Sequence, residues 1–270
     1  MQYFKHIAAA AALAISFAPL TAAADTNLTV AGSTALLPLV KEAAQSYQTS
    51  HANVKISVSG GGSYVGISQA MSKSVDIGDS DVIAPGNSGL RDHKVAVVGF
   101  GVIVNPATGV TALSRKQIRD IFSGRVSNWK DVGGKDVAIT VINRPRSSGT
   151  RAVFNATLMG ASKVAEGQIE DSSGTVVTTV STLPGAVSYV AFAYTRGKNV
   201  NVVKIDRVAP TEDNVRSGKY PFWSYEHMFT HSGSPREAED FINYVARNKD
   251  VIEKLGYIIV SSMKVAENNR

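Results

Sequence analysis

The chain contains no cysteine. That absence removes disulfide scaffolds, thiolate zinc sites, cysteine nucleophiles, C-x-x-C-H haem attachment and lipid anchoring through a cysteine. Aromatic residues are sparse, at 7%, and no run of five Lys or Arg occurs. A nucleic-acid groove would therefore have neither stacking platforms nor a basic stripe, and none is expected. Sharp catalytic fingerprints are missing too: there is no G-x-x-x-x-G-K-[ST], no G-x-S-x-G and no H-E-x-x-H. Val65 stands where a G-x-G-x-x-G beginning at Gly60 needs its last glycine. His227 and His231 are four apart, but their run reads as strand, where that spacing makes no helical pair, and a third ligand is missing. No metal, no cofactor and no catalytic constellation is expected.

What is present is an ordinary globular balance. Of 270 residues, 44% are hydrophobic and 19% charged, with 28 Lys+Arg against 22 Asp+Glu for a net charge of +6. A chain of this size buries about 70–75% of its unfolded surface and needs no staples, and a modest positive charge draws anions. Lys5 precedes the almost wholly apolar Ile7–Leu20, which ends in Thr21-Ala22-Ala23-Ala24 before Asp25. These are the parts of a secretory signal, residues 1–24, cut after Ala24. Its apolar run is shorter than the roughly 20 residues a spanning helix needs. The expected product is exported, periplasmic and free of a lipid anchor.

Short β-like runs alternate with helical patterns. Leu28–Ala31, Lys55–Ser59, Val75–Gly78, Val95–Val104, Val137–Asn143, Ala186–Ala191 and Val200–Ile205 read as strands. Leu39, Val40, Ala43, Ala44 and Tyr47 recur at helical spacing. Ser114-x-x-Gln117 predicts a capping box with Leu113 and Ile118 as its staple, and Ser234-Pro235-x-Glu237 predicts another helix start. Such alternation points to an α/β fold with helices covering parallel sheets, in which ligands sit beyond the carboxyl ends of strands.

Four junctions share one chemistry. They are Gly32-Ser33-Thr34-Ala35, Ser59-Gly60-Gly61-Gly62-Ser63-Tyr64, Gly78-Asp79-Ser80-Asp81, and Asn143-Arg144-Pro145-Arg146-Ser147-Ser148-Gly149-Thr150-Arg151, the last opening a helix that ends near Gly160. The Ser/Thr/Gly turns expose hydroxyls and unpaired N–H groups at helix starts, where the dipole favours negative charge and glycine admits an oxyanion close to the backbone. Taken singly, each Ser or Thr reads as a plain N-cap, Gly60–Gly62 as a flexible turn, and Asp76, Asp79 and Asp81 as surface acids. Repetition within one chain is what suggests that several termini converge on a small tetrahedral anion.

Together these junctions resemble the phosphate-binding proteins that serve ABC-type phosphate importers. The matching segments are Ala31-Gly32-Ser33-Thr34, Gly62-Ser63 with Gly66, Val75 to Asp81, and Ser148-Gly149-Thr150; Asp120–Trp129 and Leu183–Val190 are similar as well. The resemblance implies a two-lobed periplasmic-binding-protein-like (type II) fold, two mixed sheets flanked by helices around a hinge cleft. Residues 25–105 and 200–270 would form one lobe and 106–199 the other, crossing near Val104–Pro106 and again near residues 200–222. It implies inorganic phosphate and a membrane permease as partners of a monomer that is not an enzyme. Carried over position by position, Thr34 gives a hydroxyl, Ala35 its N–H, Ser63 a hydroxyl, Asp81 a carboxylate that accepts a proton from phosphate, and Arg144 the contacting guanidinium. Ser148, Gly149 and Thr150 form a donor cluster at a helix start. Arg146 departs from the pattern: many relatives carry an acid there, paired with the arginine.

Asp81 bears on selectivity. Phosphate near neutral pH keeps a proton and sulfate does not, and an ionised carboxylate can only accept. Facing sulfate it would leave a buried unpaired charge, at about 1–3 kcal/mol or more. Two other readings stay open: a binding protein for sulfate, molybdate or tungstate, whose cleft would need donors only, and a secreted phosphoester hydrolase using Ser63 or Ser148.

Overall fold

The computed structural model describes residues 25–265; the expected export signal, residues 1–24, lies outside them, as do residues 266–270. The chain runs through β1 (Thr26–Gly32), α1 (Leu37–Ser50), β2 (Val54–Ser59), α2 (Ser63–Met71) and β3 (Ile77–Ser80) to the long β4 (Arg91–Val104). There follow β5 (Ala112–Leu113), α3 (Arg115–Phe122), β6 (Thr140–Asn143), α4 (Gly149–Phe154), β7 (Gln168–Ile169), α5 (Ser173–Thr182) and β8 (Ala186–Ala191). The remainder is β9 (Asn201–Val202), β10 (Lys204–Ile205), α6 (Glu212–Arg216), β11 (Trp223–Thr230), α7 (Arg236–Arg247) and α8 (Lys249–Lys254).

Nine strands form one curled mixed sheet in the order β2-β1-β3-β11-β4-β8-β6-β7, with β9 added to β4, while β5 and β10 pair separately. The expected α/β architecture is borne out, and its two sheets are one ladder joined through β4. That strand pairs with β11 over Arg91–Gly99 and with β8 over Phe100–Val104. The change of partner at Gly99–Phe100 comes before the crossing expected near Val104–Pro106. Every residue of β4 from Val95 to Val104 is buried, which is what a continuous apolar run predicts for a strand covered on both faces. β1 lies parallel to β2 and β3, and β6 to β7 and β8. β11 inserts antiparallel between β3 and β4, so the sheet is mixed where alternation alone suggested parallel pairing.

Local chemistry sets the helix starts. The α3 capping box forms as predicted: Gln117 N–H donates to Ser114 Oγ, and Ser114 N–H donates to Gln117 Oε1 at 2.8 Å. Ser234 behaves differently. Its hydroxyl donates to the Asp76 carbonyl at 2.7 Å, and α7 begins at Arg236 without a side-chain cap. The strand expected at Val75–Gly78 is shifted to Ile77–Ser80. Asp76 is held out of it because its carboxylate accepts the N–H and hydroxyl of Thr29, both at 2.8 Å. Beneath α4, Phe154 stacks on Tyr189 at 4.1 Å between centroids, with Phe122 and Phe222 against both rings. This packing fixes the α4 start relative to β6 and β8.

Candidate anion-binding site

All eight expected site residues, Thr34, Ala35, Ser63, Asp81, Arg144, Ser148, Gly149 and Thr150, are buried where β1, β3 and β6 end and α2 and α4 begin. Two glycines allow the approach. Gly62, at φ 96°, caps α2, and a Cβ there would strike the Ser147 carbonyl at 2.5 Å. A Cβ on Gly149 would run into the Ser63 side chain and reach Asp81 Cβ at 3.0 Å.

Asp81 sits at the centre. Ser33 Oγ donates to its Oδ1, Thr150 Oγ1 donates to its Oδ2 at 2.6 Å, and Asp81 N–H donates to Ser63 Oγ at 2.9 Å. Burial raises its pKa, and the hydroxyls of Ser33 and Thr150, the charge of Arg144 and the Ser63 hydroxyl offset that rise only in part. The carboxylate is thus a buried acceptor, stabilised by hydroxyls that can rotate.

Arg144 approaches from the opposite side, only 1% exposed. Its Nη2 donates to Thr34 Oγ1 at 3.1 Å and to the Asp171 carbonyl at 3.2 Å, and its Nη1 reaches Ser173 Oγ at 3.5 Å. Burial lowers its pKa and Asp81 opposes that shift. Nε is buried with no protein partner, a donor of the type that a bound oxyanion satisfies. The Asp171 carbonyl and the Thr34 and Ser173 hydroxyls hold this arginine. Arg146 is exposed, in a shallow groove with Tyr64, Arg151, Ala152 and Asn155.

The three remaining expected side chains and amides are also bonded inside the protein. Ala35 N–H donates to Ser33 Oγ at 3.0 Å. Ser148 Oγ accepts Arg151 N–H at 3.2 Å and is the N-cap of α4. Its carbonyl takes the Ala152 N–H, leaving those of Gly149 and Thr150 as the helix-start donors. Thr34 Oγ1 accepts from both Arg144 and Ser173 N–H, so its contact with Ser173 Oγ at 3.0 Å uses the Thr34 proton.

That network exposes residues the sequence reading did not select. Ser173 is fully buried at the start of α5, placed there by a capping box between Ser172 and Thr175. The sequence signal was Ser172-x-x-Thr175 before Val176 and Val177. Tyr194 and Tyr257 clamp the first junction by donating to the carbonyls of Thr34 and Ala35, at 2.6 and 2.5 Å. Asp79 and Glu226, each 0% exposed, face the same interior. Asp79 is therefore not the surface acid that its residue type suggested.

Comparison with known proteins agrees with this geometry. A family model for a PBP superfamily domain matches residues 18–249. The phosphate-binding protein PstS of Bacillus subtilis (strain 168) is 41% identical over 253 residues, covering 91% of this chain and 84% of that protein. A phosphate-bound substrate-binding protein structure from Clostridium perfringens superposes with a TM-score of 0.83 at 29% identity, covering 87% of this chain and all of that one. An ABC-type phosphate transport receptor from Vibrio cholerae gives 0.69 at 29% identity, over 86% and 99% of the two chains. With its strand-end junctions closed around one buried arginine and one buried carboxylate, the chain belongs to the PBP superfamily, in the family of the phosphate-binding proteins of ABC importers.

Proposed function

We propose that this chain binds one inorganic phosphate between Asp81 and Arg144 and delivers it to the membrane permease of an ABC importer, without breaking a bond. The observation that carries this reading is Asp81: a buried carboxylate ringed by hydroxyls, facing a guanidinium with an unpartnered Nε. Arg144, the Gly149 and Thr150 N–H groups and the Ser173 hydroxyl supply donors to three phosphate oxygens. Asp81 accepts the P–O–H of the fourth. A carboxylate oxygen has two lone pairs, so each can take a hydroxyl and still receive that proton.

Residues 25–105 and 200–270 act as one lobe and 106–199 as the other, with β4 as one crossing strand. Phosphate bridges the lobes and stabilises the closed form, since Thr34–Ser173 and Asp81–Thr150 bonds span them. The protein works as a monomer in the exported compartment; no helix among the described residues is long and apolar enough to cross a membrane.

The donor-only oxyanion reading conflicts with the buried acid. The hydrolase reading lacks a base: Ser63 Oγ is bonded to Asp81 N–H and Ser148 Oγ caps α4. Isothermal titration tests the proposal. Phosphate should bind once per chain, and sulfate in large excess should not displace it; equal competition by sulfate overturns the role of Asp81.

A further inference from the structure

β11 lies antiparallel to β3 with Met228 opposite Asp79 and His227 opposite Ser80, and where that ladder ends Glu226 and Asp81 follow on the two chains, close enough for Asp81 to act on the Glu226 charge. Opposed residues share a face, as do residues two apart on one strand. Asp79, Asp81 and Glu226 therefore lie on one face of the sheet, at 0%, 1% and 0% exposure. Ser224, two residues before Glu226, donates its hydroxyl to the Asp81 carbonyl at 2.5 Å and pins β11 at this level.

The three acids are satisfied unequally. Asp81 holds its hydroxyl shell, whereas both carboxyl oxygens of Asp79 and of Glu226 are buried without a hydrogen-bond partner. Glu226 is faced by Asp79 of β3 and Asp81 just beyond it, by Ala96 from β4 and by the Tyr257 phenol from the segment after α8, which lies near Tyr194. The groups that act on its charge are acids and phenols. Arg144 acts on Asp81. Burial first, then Asp81 and Asp79, raises Glu226 well above the carboxylate range, and burial with Asp81 does the same to Asp79. Three ionised carboxylates against Arg144 would give the cleft a net negative charge and repel a phosphate dianion. Two neutral acids leave one negative and one positive group, which suits it.

We infer that Glu226 is a positioning residue of the phosphate site: as a neutral acid on β11, with Asp79 beside it, it keeps Asp81 the single ionised carboxylate, and phosphate binding weakens when Glu226 and Asp79 ionise. This inference rests on the phosphate reading above. The discriminating window is about pH 8 to about pH 10. Phosphate has completed its second ionisation there and retains its last proton, so a change in affinity belongs to the protein.

Phosphate affinity should be measured by titration calorimetry across that window and at pH 7 for the wild type, Glu226→Gln and Asp79→Asn. The wild type should weaken as pH rises, by up to about tenfold per unit beyond each ionisation. Glu226→Gln, a near-isostere that cannot ionise, should show a flatter decline than the wild type. Asp79→Asn should flatten it as well, and carries the test if Glu226→Gln does not fold. A flat wild-type profile, parallel profiles in all three proteins, or a tenfold gain in phosphate affinity for Glu226→Gln at pH 7 would each overturn the inference. A wild type that fails to bind phosphate at pH 7 sinks the earlier reading itself, a separate result.

Discussion

The two sides of the anion site are built from opposite chemistry. Where β6, α4 and α5 meet, the interior offers donors: the Arg144 guanidinium, the N–H groups of Gly149 and Thr150, and the Ser173 hydroxyl. Where β3 and β11 meet, it offers three carboxyls in a row, Asp79, Asp81 and Glu226. A shell of donors alone would hold any tetrahedral oxyanion of the right size. In the proposed site only the acidic side can distinguish an anion that still carries a proton, so affinity should belong mainly to the first side and discrimination to the second. Substitutions should separate the two properties.

The largest effect is expected on the donor side. Arg144→Met keeps an unbranched apolar stem but removes the charge that acts on Asp81 and, in the proposed site, on the anion. Truncating one partner of a buried, hydrogen-bonded charge pair costs about 2–5 kcal/mol, so phosphate affinity should fall by about thirtyfold or more. Thermal melting checks that the variant remains folded. Affinity within tenfold of wild type would show that the backbone donors of α4 dominate instead.

Asp81→Asn comes next and should move a different quantity. The amide keeps one acceptor oxygen and gains N–H donors, so sulfate no longer meets an unpaired negative charge. The ratio of phosphate to sulfate affinity should fall by about tenfold to a hundredfold, from the roughly 1–3 kcal/mol attached to a buried unsatisfied group. Competition titrations with both anions read the ratio directly. An unchanged ratio would mean that another group reads the proton.

The same contrast explains what the sequence revealed and what it did not. Arg144, Ser148, Gly149 and Thr150 lie in one stretch of chain, and helix-start chemistry marks such a stretch locally. Asp81 was selected because the resemblance places the family's acid there. Asp79, two residues before it in the same junction, and Glu226 had no such correspondence. Their burial depends on β11 returning, more than a hundred residues later, to insert between β3 and β4, and nothing in Trp223–Thr230 announces that position. β3 itself was placed too early because Asp76, which leaves the strand to hold Thr29, is indistinguishable in sequence from a strand residue. The α/β alternation, the long buried β4 and the α3 capping box were readable because hydrophobic period and cap residues act over a few positions.

Ser173 gives the smallest effect and the closest test of how the donor side works. Thr34 Oγ1 has two lone pairs, and the N–H of Ser173 with Nη2 of Arg144 fills both. The proton of Thr34 is therefore the one between the two hydroxyls, and Ser173 Oγ accepts it. What remains on Ser173 is its own O–H, left to donate to an anion. Ser173→Ala removes that donor, whereas the backbone N–H that holds Thr34 survives. A neutral hydrogen bond contributes about 0.5–1.5 kcal/mol, so phosphate affinity should fall about twofold to tenfold, with the phosphate-to-sulfate ratio unchanged because both anions accept the same bond. A ratio that shifts with Ser173 would mean that the donor side also reads the proton, and the division of labour between the two sides would fail.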